Sequence, residues 1–268
     1  MELVSGALPR PGLRCVVFDF DGTLSWLRHG WPGLMADIFR QYYPARPGET
    51  EPAIRDLLLD DILSLNGKPS IHQMRSFAQR VRERGGRCPA PGDLLHEYQG
   101  RLDALIAQRS AQLRCGEAGV DDFVVHGARV LLDKLRRRGL RLAILSGTIQ
   151  HRVEEEARLL ELAGYFDAGI IGGTPDPAHF SKKDAIARLL RQENIPGERL
   201  LSLGDGPVEI EEAKLVGGVA VAVASDEEIN GSGRPDPWKR RILLQAGADA
   251  LIADFRHPEQ LLELIFGH

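Results

Sequence analysis

Apolar residues along this chain keep two spacings, and the change from one to the other divides it. The run Arg14 to Phe18 is short, apolar after its first residue and ends in carboxylates, as a strand buried on both faces would. From about residue 123 onward, strand-like and helix-like segments alternate. The segments His126–Arg138, Val153–Leu162, Lys183–Gln192 and Val208–Val216 carry apolar residues at helical spacing. Between them, Leu140–Leu145, Ala168–Ile171, Leu200–Leu203, Val219–Val223 and Ala250–Ile252 are short apolar runs of strand length. With the first run, these predict a roughly six-stranded, doubly wound parallel sheet.

The stretch from about Trp26 to Asp122 is different. It contains no convincing strand, and its apolar residues recur at helical intervals: Leu34, Ile38 and Phe39; Ile54, Leu58 and Ile62; Met74, Phe77 and Val81. Pro and Gly punctuate these runs, at Pro44, Pro47, Gly67, Pro69, Gly85-Gly86 and Pro91-Gly92 among others. The pattern predicts an α/β protein with a second, smaller all-helical domain of four or five helices. On this reading residues 1–25 and 123–268 form the α/β core, and 26–122 are inserted after the first strand.

Composition adds exclusions. The 268 residues suffice for a core domain plus a smaller one, and 43% hydrophobic with 27% charged residues is ordinary for a globular protein. A formal net charge of -4 argues against nucleic-acid binding. Arg136-Arg137-Arg138 and Lys239-Arg240-Arg241 are expected on solvated helix faces or ends. Three widely spaced cysteines, Cys15, Cys88 and Cys115, suggest neither a disulfide framework nor a metal site. No apolar run reaches membrane-spanning length and no secretory signal is evident, so a cytoplasmic protein without membrane partners is the default expectation. Oligomeric state is not legible.

Four stretches carry candidate chemistry. In Cys15-Val16-Val17-Phe18-Asp19-Phe20-Asp21-Gly22-Thr23-Leu24, an apolar strand ends in two carboxylates two residues apart. Crowded carboxylates repel, and one must hold a proton unless a cation sits between them. Such a pair suits a Mg²⁺ site with one carboxylate free to attack and the other to shuttle protons. The plainer alternative is an acidic turn with a permissive glycine. In Ser146-Gly147-Thr148 a hydroxyl beside a glycine at a strand-to-helix junction can hold an anion, or simply cap the helix. Phe180-Ser181-Lys182-Lys183 opens a helix with two lysines that the macrodipole disfavours. Leu200-Leu201-Ser202-Leu203-Gly204-Asp205-Gly206-Pro207-Val208-Glu209 ends another strand in Gly-Asp, with a second carboxylate four residues on.

Taken in order, these stretches resemble the four motifs of the haloacid dehalogenase superfamily, whose phosphatases carry Asp-x-Asp-x-Thr/Val after the first strand. The resemblance implies that Asp19 is a nucleophile forming an aspartyl-phosphate and that Asp21 is its acid–base partner. It further implies Mg²⁺ held by Asp19, the backbone carbonyl of Asp21, Asp205 and Glu209, the last directly or through water. Ser146, Lys182 and N–H groups near Gly22 and Gly147 would hold the phosphoryl oxygens. Lys182 fits the third motif better than Lys183, and Glu209 departs from the commoner Asp of the fourth. The inserted helices would be a cap closing over the site, with Arg28, beside His29 and Trp31, reading a second phosphate, carboxylate or sugar. Asp21 argues against dehalogenation, and Lys68 is the one lysine in the predicted cap that phosphonate hydrolysis could use. The polar turn Asn66-Gly67-Lys68-Pro69-Ser70 could reach the substrate or merely cap a helix. Gly247-Ala248-Asp249 resembles the segment preceding the family's final strand. The long loop from Asn230 leaves Trp238 open to packing on a neighbouring element or a second subunit. The expected activity is Mg²⁺-dependent hydrolysis of a small phosphorylated metabolite, a sugar or organic-acid phosphate. A sugar phosphomutase and a non-catalytic protein binding a phosphorylated ligand are the alternatives.

Overall fold

The computed structural model describes residues 1–6, 8–66, 68–174 and 180–267. Gly67, expected in the polar turn, lies outside them. The chain divides into two compact units, residues 1–27 with 112–268, and residues 28–111.

The first unit is built on a seven-stranded sheet. Its strands are β1 (Glu2–Leu3), β2 (Cys15–Phe18), β3 (Arg141–Ile149), β4 (Gly169–Gly173), β5 (Leu200–Gly204), β6 (Val219–Val223) and β7 (Ala250–Ile252). Their order is β1-β7-β6-β5-β2-β3-β4. Only β1 is antiparallel, pairing Glu2 with Leu251 at the edge. Sequence periodicity predicts roughly six strands; a two-residue edge strand is too short to carry a period.

Strand alternation explains why the sheet is covered on both sides. Val16 and Phe18 of β2, with Leu142, Ile144, Leu201 and Leu203, enter one apolar cluster. That cluster is completed by α5 (Ala128–Arg137), α6 (Gln150–Leu159) and α10 (Pro258–Phe266). Cys15 and Val17 face the other way, onto Ala185, Ile186 and Leu189 of α7 (Lys182–Glu193). Burial pushes the Cys15 thiol up to about 12, so it behaves as a small core residue. Farther along the same face, α8 (Pro207–Leu215) and α9 (Pro237–Gln245) cover Ala220, Ala222 and Leu251.

Asp249 ties this sheet together. Its buried carboxylate accepts from Ser5 Oγ at 2.6 Å, Lys214 Nζ at 2.7 Å and the Ala220 N–H at 2.9 Å. Burial alone would raise its pKa, but these donors hold it below the usual carboxylate value. Trp238 is buried within the chain. Its loop is fastened by Asn230, which accepts from the His126 N–H at 3.0 Å and donates to the Val124 carbonyl at 2.8 Å.

The second unit contains α1 (Trp31–Tyr42), α2 (Glu51–Leu63), α3 (Ile71–Glu83) and most of α4 (Pro91–Cys115). Its core is made by residues picked out by helical spacing, including Ile38, Phe39, Ile54, Leu58, Ile62, Met74, Phe77 and Val81, joined by Leu94. The Phe39 and Phe77 rings stack with centroids 4.0 Å apart. Thr50 caps α2 by accepting from the Ala53 N–H. The unit ends earlier than the stretch expected to reach residue 122, because Leu113, Ala118 and Val120 pack on the sheet's own core. Trp26 and Leu27 belong to that core as well. Among the described residues no helix is long and apolar enough to cross a membrane.

Candidate active site

The order of the strands decides where chemistry can occur. Strand β2 lies between β5 and β3, and the chain proceeds outward on one side through β3 and β4, then on the other through β5, β6 and β7. Loops leaving β2 diverge at such a switch point, which opens a crevice at the carboxyl ends of the strands. In register, Phe18 pairs with Leu203 on one side and Ile144 on the other. Residues following these positions, Asp19, Asp205 and Ser146, therefore arrive at one edge.

Asp19 is buried, and its N–H donates to the Leu203 carbonyl at 2.9 Å. Its Oδ1 accepts from Lys182 Nζ at 2.6 Å, and the same ammonium donates to Glu209 Oε1. Lys182 is the first residue of α7, capped by Ser181, while Lys183 is exposed. The two carboxylates are what draw a lysine to a helix N-terminus that would otherwise repel it. Burial opposes the Lys182 charge, but Asp19 and Glu209 overcome it and hold its pKa above the usual lysine range. Burial likewise pushes the Asp19 carboxyl well up; Lys182 counteracts this, and Glu209 and Asp205 add to it.

Asp205 follows β5 and lies against the backbone of Gly22. A methyl group on Gly22 would stand 2.8 Å from Asp205 Cγ and closer still to Oδ2. The glycine also has φ +76°, a conformation that favours this residue. Gly204 is similarly pressed, with 2.6 Å from its virtual Cβ to Glu209 Cβ and 3.6 Å to Asp19 Cβ. The Asp205 carboxyl is raised to about 6, by burial first, with Lys239 opposing and Glu227 and Glu209 reinforcing.

Asp21 has a different partner from that of Asp19. Its Oδ2 accepts from Thr148 Oγ1 at 2.8 Å. Three expectations are corrected here. First, Ser146-Gly147-Thr148 is not a strand-to-helix junction: β3 continues to Ile149 through an irregular register that brings Ile149 beside Gly173, and α6 begins after it. Ser146 Oγ accepts from the Thr148 N–H at 3.0 Å, so it is Thr148 whose hydroxyl reaches a carboxylate. Second, the Gly22 N–H itself donates to the Ser25 carbonyl at 2.9 Å, so among the N–H groups expected near Gly22 its own is taken. Third, Lys239 is not solvated: it is 1% exposed, with Nζ 2.9 Å from Asp205 Oδ2 and 2.5 Å from Glu227 Oε1. Two carboxylates on separate loops explain its burial, and loops far apart in sequence leave no local signal. Arg28 belongs to the helical unit, where its neighbour His29 receives Arg109 on its carbonyl at 3.0 Å.

Among the described residues no three Asp, Glu, His or Cys side chains already stand in ligating positions. Lys182 instead bridges Asp19 and Glu209. The donors nonetheless suit a hard divalent cation such as Mg²⁺, which takes oxygen ligands. Glu209 Oε2 is buried with no hydrogen-bond partner among the described residues, and Asp205 is pressed to the β2 loop by a glycine that leaves it just enough room.

Residues 13–217 match the model of the haloacid dehalogenase-like hydrolases. The chain belongs to that family. A curated relative, a phosphorylated carbohydrates phosphatase of Thermotoga maritima, is 26% identical over 144 residues. The match covers 52% of this chain and 58% of the relative, so the chain spans under two thirds of that protein's length. Among solved structures, a conserved haloacid dehalogenase-like protein of Agrobacterium tumefaciens superposes with a TM-score of 0.65 at 16% identity, covering 93% of this chain and 97% of that one. A family hydrolase of Deinococcus radiodurans, solved with bound phosphate and sodium, gives 0.59 at 17% identity, covering 95% of each chain. At these identities the structures establish the shared fold.

Proposed function

We propose that this hydrolase is a Mg²⁺-dependent phosphatase of a small phosphorylated metabolite, a sugar or organic-acid phosphate, acting through an aspartyl-phosphate. The observation that carries the reading is that the two carboxylates of the β2 loop have different partners, an ammonium for one and a hydroxyl for the other. Asp19 accepts from the Lys182 ammonium, and Asp21 accepts from the Thr148 hydroxyl.

In the reaction, an Asp19 oxygen attacks phosphorus in line with the ester oxygen and the P–O ester bond breaks. Asp21 gives its proton to the departing alkoxide, which leaves as the alcohol. Asp21, now a carboxylate, takes a proton from water, whose oxygen attacks the phosphorus of the acyl-phosphate. Asp19 is released, inorganic phosphate departs, and Asp21 is protonated again. Lys182 sets its ammonium against the Asp19 carboxylate and the transferring oxygens, where negative charge must be tolerated. Asp19, Asp205 and Glu209 would hold the Mg²⁺, which when bound supplies further positive charge to the phosphoryl oxygens.

The test is phosphate release from a panel of sugar and organic-acid phosphates with Mg²⁺, run beside Asp19→Asn. Turnover of some member by the parent protein and none by the variant supports the reading. Equal turnover by the two would sink it, as would a parent protein inert across the panel.

A further inference from the structure

Lys239 is a costly lysine. It sits in the first turn of α9, whose N-terminus is positive, and it is removed from water. An N-terminal position and burial both disfavour an ammonium, so its contacts must account for its presence. Nζ reaches Asp205 Oδ2 at 2.9 Å, Glu227 Oε1 at 2.5 Å and Ser225 Oγ at 2.9 Å. Ser225 in turn donates its hydroxyl proton to the Gly22 carbonyl at 2.6 Å. A single ammonium thus joins the loops after β2, β5 and β6. Its main-chain N–H is fixed by the Asp236 carboxylate at 2.8 Å, which anchors the base of the side chain.

We infer that Lys239, steadied by Ser225 and Glu227, is a positioning residue that holds the Asp205 carboxylate against the Gly22 loop in the orientation a divalent cation requires. Lys239 occupies Oδ2 and leaves the other oxygen of Asp205 to the ion. The inference rests on reading Asp19, Asp205 and Glu209 as the cation site. Partners of this kind, lying behind a ligand, orient it and tune its charge.

Charge and positioning predict opposite signs, which makes the inference testable. An ammonium beside a cation site repels the cation, so charge alone predicts tighter binding when Lys239 is removed. Positioning predicts weaker binding. The experiment is titration of the purified protein with Mn²⁺, followed by the electron paramagnetic resonance of the free ion, for the parent chain, Asp205→Asn, Lys239→Met and Ser225→Ala. Loss of a partner behind a ligand typically costs about 10–100-fold in metal affinity. Lys239→Met is expected in that range, and Ser225→Ala, which changes no charge, near its lower end. Should Lys239→Met fail to fold, Ser225→Ala decides alone. Unchanged or tighter Mn²⁺ binding in the folded variants, with binding intact in the parent and reduced in Asp205→Asn, overturns the positioning role and leaves the proposed activity standing. A parent protein that binds no Mn²⁺ overturns both.

Discussion

Replacing Gly22 by alanine is the sharpest single perturbation of this site, because one methyl group meets two separate obstacles. The backbone at φ +76° becomes strained, at roughly 1–2 kcal/mol for a residue with a Cβ. The new methyl would also stand 2.8 Å from Asp205 Cγ, well inside the contact distance of about 3.5–4.0 Å. The carboxylate is the movable partner and must withdraw.

Two outcomes bracket the stability change. Where Lys239 follows Asp205, the loss stays near the backbone strain alone. Where their 2.9 Å ion pair breaks, an unpaired buried charge adds about 3–5 kcal/mol. Catalysis should suffer in either case, since a displacement of about 1 Å at a reacting centre can cost on the order of 100-fold. Urea unfolding and phosphate release, measured on the same preparation, separate the two effects. A variant with the parent's urea midpoint and undiminished turnover would refute the packing of Asp205 on Gly22.

The two lysines opening α7 should part company. Lys182→Met, which strips the ammonium from Asp19 and Glu209, should lower turnover by about 10²-fold or more, whereas exposed Lys183→Met should alter stability by no more than roughly 0.5 kcal/mol and leave turnover intact; the reverse pattern in steady-state assays would reassign the third motif. Asp249→Asn should destabilise the fold by about 1.5–3 kcal/mol near neutral pH, through weakened bonds from Ser5, Lys214 and Ala220. The folded pKa of Asp249 lies below its ordinary 3.8, so its contribution is full above that value and disappears as pH falls through the folded pKa. Urea midpoints of parent and Asn variant should therefore converge in acid; a gap that persists well below pH 3.8 would count against the Asp249 network.

Local motifs were legible because their parts are close in sequence. Asp19 and Asp21, or Asp205 and Glu209, each follow one strand and announce themselves as polar residues ending an apolar run. Helical spacing likewise picked out the core of the second unit, as Ile54, Leu58 and Ile62 illustrate. What escaped depended on tertiary pairing. Strand β3 runs on through Ser146, Gly147 and Thr148 because β4 lies beside it, which a search for helix caps could not anticipate. Local sequence offers Thr148 an anion or a helix end beside Ser146, yet its hydroxyl goes to Asp21. Lys239 stood in a basic triplet that resembled a solvated face, and only the loops after β5 and β6 give it a reason to be buried. Asp249 had a visible motif but no visible purpose until Ser5, Lys214 and Ala220 were seen around it.

The charged cluster is hard to justify by stability. Each ion taken from water costs several kcal/mol even after relaxation, and aliphatic residues of similar volume usually fill such space as well or better. This chain fills the interiors of β2 and β5 with just such residues, so it had that option at their ends. Instead Asp19 and Glu209 share the Lys182 ammonium, and Asp205 and Glu227 share that of Lys239. Asp19 and Asp205 are both drawn toward protonation, by burial first and by the neighbouring carboxylates after it, against the pull of the two lysines. A proton is a poor remedy, because it disables the nucleophile it lands on. On the proposed function, one divalent cation would add positive charge to this cluster and leave the Asp19 oxygen able to attack.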